Sequence, residues 1–142
     1  MSERLWHLKQ CELFQRLRPD QLKLIESRSR SRRFPRNSPI YLPADYADSV
    51  FLLAEGRAKI GSVTEDGKQT ILGFIEPGEL FGELSLLGVP TREETAHAVE
   101  KTLVVMIPRD LMEQLIEQNP HISLGITKLF GLRRQRIERR IK

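Results

Sequence analysis

The run Pro77-Gly-Glu-Leu-Phe-Gly-Glu-Leu-Ser-Leu-Leu-Gly-Val-Pro-Thr-Arg-Glu-Glu-Thr-Ala96 carries the residue types needed to hold a small anion. Gly82 has no Cβ, and Glu83, Leu84 and Ser85 are placed to open a short helical turn with its first backbone N–H groups directed outward, as an anion seat requires. Nine positions after Glu83 stands Arg92, a planar fork of donors suited to phosphate. Glu83 can only accept hydrogen bonds, so it suits sugar hydroxyls. Anion at the turn and hydroxyl at the carboxylate together suit a nucleotide. By itself, a Gly-Glu pair ahead of Leu-Ser-Leu-Leu is equally the pattern of a loop closing over a core, so specificity must come from the flanking elements.

Upstream, Leu5, Leu8, Leu13, Phe14 and Leu17 recur at roughly helical spacing, and Pro19-Asp20 opens a second short helix with Leu22, Leu24 and Ile25. From Phe34 the pattern changes to short β-favouring segments: Ile40 to Leu42, Val50 to Leu53, Arg57 through Ile60 to Val63, and Thr70 through Leu72 to Ile75. Prolines and glycines bound them, and Asp66-Gly67 predicts a tight antiparallel hairpin. Thr95 to Ile107 returns to β character, with Ala96 and Ala98 on one face and His97 and Val99 on the other. Short strands at such regular spacing predict a barrel or sandwich. Pro108-Arg-Asp110 then starts a helix that Asn119-Pro120 ends. A last helix from about Pro120 lines up Ile122, Ile126, Leu129, Phe130, Ile137 and Ile141 along one side, and a parallel copy from a second subunit is the simplest cover for that stripe. Gly125 and Gly131 would allow a facing helix to approach closely.

The chain of 142 residues is long enough for a single domain with a real core. With 39% hydrophobic and 30% charged residues its composition is that of a globular protein, and neither a membrane-spanning run nor a signal-peptide pattern is present, so a cytoplasmic, membrane-free setting is expected. Six basic residues and one acid fall in 133–142, more than the whole net charge of +4, so the basicity belongs to the C-terminal helix. Arg133 to Arg140 are expected mainly as solvated charges near the helix C-terminal dipole, and Arg28 to Arg36 as a second solvated face. Cys11, the only cysteine, can form neither an internal disulfide nor a thiolate cluster and reads as a buried apolar residue. His7, His97 and His121 lack H-x-H or H-x-x-x-H spacing, so no metal is assigned. Ser85 has no sequence-local base, so an enzyme is not expected.

Together these residues resemble a known family. Phe34-Pro35, Glu55-Gly56-Arg57, Asp66-Gly67-Lys68, Pro77-Gly78-Glu79, Phe81-Gly82-Glu83-Leu84-Ser85 and Arg92-x-x-Thr95-Ala96-x-Ala98 are similar to the cyclic-nucleotide-binding domain, and Val104 to Arg109 with the Asn119-Pro120 break resembles the bacterial CRP/FNR transcription regulators. The resemblance implies a mainly β fold with flanking helices: a double-stranded β-helix, or jelly-roll, over residues 1–118, and a long C-terminal dimerisation helix over 119–142. It implies an effector site formed by Gly82, Glu83, Leu84, Ser85, Arg92 and Glu93, with Glu83 toward a ribose and Arg92 toward a cyclic phosphate. It also implies a homodimer, and DNA as a partner through a helix-turn-helix domain lying outside this sequence. The effector would be a cyclic nucleotide or another small anion.

Two departures weigh against cAMP. Glu93 and Glu94 follow the arginine where nucleotide-binding members carry small or hydroxyl residues, and a carboxylate about 4 Å from a phosphate costs roughly 4 kcal/mol at an effective dielectric near 20. Ile137 and Glu138 also stand where base-contacting hydroxyls would be expected. The expectation is therefore an effector-sensing domain of a CRP/FNR-like regulator that binds cAMP weakly. The alternative is a cyclic-nucleotide-binding regulatory module of a signalling kinase or channel.

Overall fold

The computed structural model describes residues 2–88 and 90–141, with side chains other than those of Leu87, Phe130 and residues 134–141. Helix α1 (Glu3–Gln10) begins at Ser2, whose Oγ accepts a hydrogen bond from the Leu5 N–H at 3.1 Å. A 3₁₀ turn at Glu12–Phe14 leads to α2 (Pro19–Arg28), which starts on Pro19 while the Gln21 side chain accepts from the Arg18 N–H. Eight strands follow: β1 (Arg30–Phe34), β2 (Pro39–Tyr41), β3 (Ser49–Glu55), β4 (Ala58–Val63), β5 (Gln69–Ile75), β6 (Leu80–Phe81), β7 (Thr95–Ala98) and β8 (Thr102–Pro108). Helices α3 (Arg109–Gln118) and α4 (Pro120–Ile141) complete the described chain.

The strands form two four-stranded antiparallel sheets, ordered β1-β8-β3-β6 and β2-β7-β4-β5. This is the expected β-roll. The hairpin at Asp66-Gly67 pairs β4 with β5 antiparallel, as the sequence predicts. Thr95 to Ile107 is two strands on different sheets, because the chain crosses over between Ala98 and Thr102. Part of the arginine run is a strand as well. In β1 only Phe34 is buried, so Arg30 to Arg33 cover an edge with charge, and no apolar alternation betrays the strand in the sequence.

Period-2 alternation builds two cores from the same strands. Val50 and Leu52 of β3, with Val105 and Ile107 of β8, pack against Leu8, Phe14, Ile25, Leu111 and Leu115 of the helical layer. Phe51, Leu53 and Val104 point the other way, into the roll, and join Tyr41, Ala58, Ile75, Phe81 and Ala96. Cys11 is fully buried in the helical core, and that burial pushes its thiol up to about 12, so it behaves as an apolar residue.

The apolar stripe of α4 requires a correction. Ile122 is 0% and Ile126 8% exposed, both within the chain's own helical core, and Leu129 packs against it. Helix α4 lies back on β5, on α3 and on the 3₁₀ turn after α1. Gly125 permits that approach, since a Cβ there would run into the Leu13 side chain. The close approach read from this glycine is made to the chain's own Leu13. Periodicity showed that the stripe needed cover but could not tell whether the cover came from the same chain. Phe130, Ile137 and Ile141, expected along the same side, lie outside the described side chains.

Candidate functional site

Strand β6 ends on Phe81, and the chain reverses at Gly82, whose φ is 72°. A Cβ at this position would stand 2.7 Å from Phe51 Cδ2 and 3.1 Å from Arg92 Nη1, so both conformation and space require glycine. Residues Glu83–Leu87 then form a 3₁₀ turn. The Ser85 Oγ, buried, lies within hydrogen-bonding distance of the carbonyls of Gly82 (3.0 Å) and Ser49 (3.3 Å), which fastens the turn to β3.

Arg92 converges on the same place. Its guanidinium donates from Nη1 to the Gly82 carbonyl at 2.7 Å and from Nη2 to the Ser49 carbonyl at 2.5 Å. Its Cζ lies 4.6 Å from the Tyr41 ring centroid and 5.1 Å from that of Phe51, two rings stacked at 5.6 Å. The residue is only 6% exposed, and burial lowers its pKa, offset by the charges of Asp48, Glu94 and Glu83 and by Tyr41. Its Nε is buried and has no hydrogen-bond partner. An orphaned buried N–H costs about 1–3 kcal/mol, so such a group marks a place for an acceptor.

The two glutamates after Arg92 separate as adjacent residues should. Glu93 is exposed, while Glu94 is half-buried and its Oε1 accepts from the Tyr41 hydroxyl at 3.3 Å. Burial raises the Glu94 pKa, with Glu83 adding to the shift and the Tyr41 hydrogen bond, Arg133 and Arg92 opposing it. Burial likewise raises the Tyr41 phenol. The carboxylate facing the interior is thus Glu94, and Glu93 stands at the rim of a cavity of 120 Å³ shared with Leu84, Ser85, Arg92 and Glu94. That is small beside ligand pockets of roughly 300–1,000 Å³.

Glu83 has a partner that the sequence reading did not supply. Arg133 of α4 reaches across to it with an Nη1–Oε1 distance of 2.5 Å, and its Nη2 donates to the Leu80 carbonyl. Arg133 is buried, which corrects its assignment to a solvated tail: its stem lies on Gly73 of β5, where a Cβ would be 3.1 Å from the Arg133 Cβ. The available signal was spacing. Ile122, Ile126 and Arg133 share the inward face of one helix, at steps of four and seven. Arg133 Nε is a second buried nitrogen without a partner. Gly82, Glu83, Ser85 and Arg92 are therefore gathered within one shell, with Leu84 and Glu93 at its edge, and Arg133 and Glu94 are added to it.

A family model described as a cyclic nucleotide-binding domain matches residues 31–119. The chain belongs to the cyclic nucleotide-binding domain family. Relatives matched over about nine tenths of its length include CRP-family regulators, in keeping with the CRP/FNR resemblance. The chain is 31% identical over 126 residues, 89% of its length, to the cyclic AMP receptor protein of Thermus thermophilus, and spans only 58% of that protein. Its fold is similar to the sensor domain of the transcriptional regulator DNR from Pseudomonas aeruginosa, with a TM-score of 0.77 at 23% identity, covering 94% of this chain and 90% of that one. Over 94 residues, 66% of its length, the chain is also 34% identical to a stretch making up 6% of lysophospholipase nte1 from Aspergillus oryzae. Among the described residues no helix is long and apolar enough to cross a membrane.

Proposed function

We propose that this chain is the effector-sensing and dimerising part of a CRP/FNR-like transcription regulator, one that holds a small anionic effector in its β-roll and thereby controls DNA binding through a further, helix-turn-helix domain. The observation that carries the reading is the Arg92 Nε. It is buried beside the small cavity without an acceptor, on a guanidinium already fixed by two carbonyls and two aromatic rings. An anionic oxygen supplies what that group lacks. In this reading Gly82, Glu83, Leu84, Ser85 and Arg92 form the cradle and Glu93 its rim.

Signalling follows from the competition at Glu83. The carboxylate that would accept ligand hydroxyls is held by Arg133 of α4, so a ligand that takes Glu83 loosens α4, and one that adds an acceptor for both arginines tightens it. A homodimer would use the apolar residues of α4 that remain exposed among those described, Leu124 and Leu132. The setting would be cytoplasmic, with DNA and the effector as partners and no enzymatic activity. A cyclic nucleotide is the first class of effector to test, with cAMP expected to bind weakly because Glu94 faces the cavity. The match to a stretch of a lysophospholipase favours a second reading, a regulatory module within a larger enzyme.

The test is calorimetry on the purified chain with cyclic nucleotides and small phosphorylated metabolites. A ligand whose binding disappears in Arg92→Ala supports the site, and binding unchanged by Arg92→Ala removes it. Low-micromolar affinity for cAMP would overturn the argument from Glu94.

A further inference from the structure

A surface cavity of 620 Å³ lies away from the β-roll site, beside α1 and β1, and is lined among others by Glu3, Arg4, His7, Glu26 and Arg33. Two of its lining residues, Glu3 and His7, gather with Glu55 to bring three potential ligand atoms together. His7 Nε2 is 3.3 Å from Glu55 Oε2 and 3.7 Å from Glu3 Oε1, and all three atoms lie within 4.8 Å of one another. Glu3 and His7 share a face of α1 through their i,i+4 spacing, and Glu55 closes the group from the end of β3. The imidazole is 6% exposed.

These separations are informative. An N–H···O hydrogen bond spans about 2.7–3.2 Å, so the 3.7 Å contact of His7 Nε2 with Glu3 is too long for one and the 3.3 Å contact with Glu55 stands at its outer limit. Ligands bound to a tetrahedral zinc at about 2.0–2.1 Å stand roughly 3.3–3.4 Å apart, close to the distance between His7 and Glu55. The donor set, one imidazole and two carboxylates, carries two negative charges when the histidine is neutral and belongs to first-row divalent metals. Nearby cations compete weakly for it. Arg33 Nη2 is 3.7 Å from Glu3 Oε1 on two mostly exposed side chains, while Arg4 spends its donors on Ser31 and on the carbonyls of Glu26 and Ser29.

We propose that Glu3, His7 and Glu55 form a site for a divalent transition-metal cation of the Zn²⁺ class, with water completing the coordination, which staples α1 to the β-roll. Sequence spacing concealed it because the ligands come from a helix and a strand forty-eight positions apart and only one is a histidine. The site is independent of the effector reading, since it shares no residue with the Gly82 to Glu94 segment or with Arg133.

The experiment is calorimetric titration of Zn²⁺ into the chelator-stripped full chain near neutral pH. The expected result is saturable uptake of one equivalent, weakened at least tenfold in both His7→Gln and Glu55→Gln and unchanged in His97→Gln and His121→Gln. Glu55 is half-exposed at a strand end, so its variant serves even where His7→Gln fails to fold. Absence of saturable uptake, or equal affinity in Glu55→Gln, overturns the site and leaves His7 as a buried side chain beside two carboxylates.

Discussion

The Glu83–Arg133 pair offers the sharpest test, because it joins the turn after Gly82 to α4 in one contact. Both side chains are nearly sealed, at 6% and 7% exposure, so water screens the pair little. Removing one member of a buried pair costs about 3–5 kcal/mol, chiefly because the other charge is left behind. At this chain length each kcal/mol shifts Tm by roughly 2–4 °C, so Arg133→Met should lower Tm by on the order of 10 °C. Replacing both members, as Glu83→Gln with Arg133→Met, strands no charge and should recover most of the loss. The assay is a double-mutant cycle by urea denaturation at pH 7, where the coupling should exceed about 2 kcal/mol. A coupling below about 0.5 kcal/mol, with Arg133→Met within about 1 kcal/mol of wild type, would show that α4 does not dock on the cassette in solution.

Other consequences can be measured in the same preparations. Glu94 has a folded pKa raised by burial above the unfolded value of about 4.3, so its contribution favours folding at low pH and is lost as pH rises through the raised value. Glu94→Gln should therefore be more stable than wild type at pH 7, with the gap closing on acidification, and should bind phosphate-bearing ligands more tightly; a gap that widens toward acid would contradict the sign. Gly82→Ala must carry a positive φ and place its Cβ 2.7 Å from Phe51, and should cost roughly 2–4 kcal/mol in denaturant unfolding. A loss under about 1 kcal/mol would mean that the turn is looser than described. Leu124→Glu with Leu132→Glu should convert the proposed dimer to a folded monomer in sedimentation experiments, because both side chains are exposed within the chain; an unchanged sedimentation coefficient would exclude that face.

The sequence by itself determined the strands of the β-roll, and it singled out Gly82, Glu83, Ser85 and Arg92, which the fold gathers in one shell. Alternation in β3 and β8, the Asp66-Gly67 turn and the Gly82-Glu83 to Arg92 spacing are local signals, set by strand period, turn chemistry and the absence of a Cβ. Glu93 and Glu94, in the segment just before β7, do separate into an exposed and a half-buried side chain, but which of the two faced inward did not follow from the pattern. Contacts between distant segments were decided only by the tertiary structure. The inward face of α4 was legible as a stripe, yet its cover proved to be Leu13 and the chain's own core, because apolar surface attracts any complementary surface and periodicity carries no address. Arg133 read as one cation among many until the fold placed its stem on Gly73 and its head against Glu83, fifty positions away. Glu55 beside Glu3 and His7 is the same kind of fact. Charge and ligand chemistry depend on distance in space, and that distance exists only once the chain has folded.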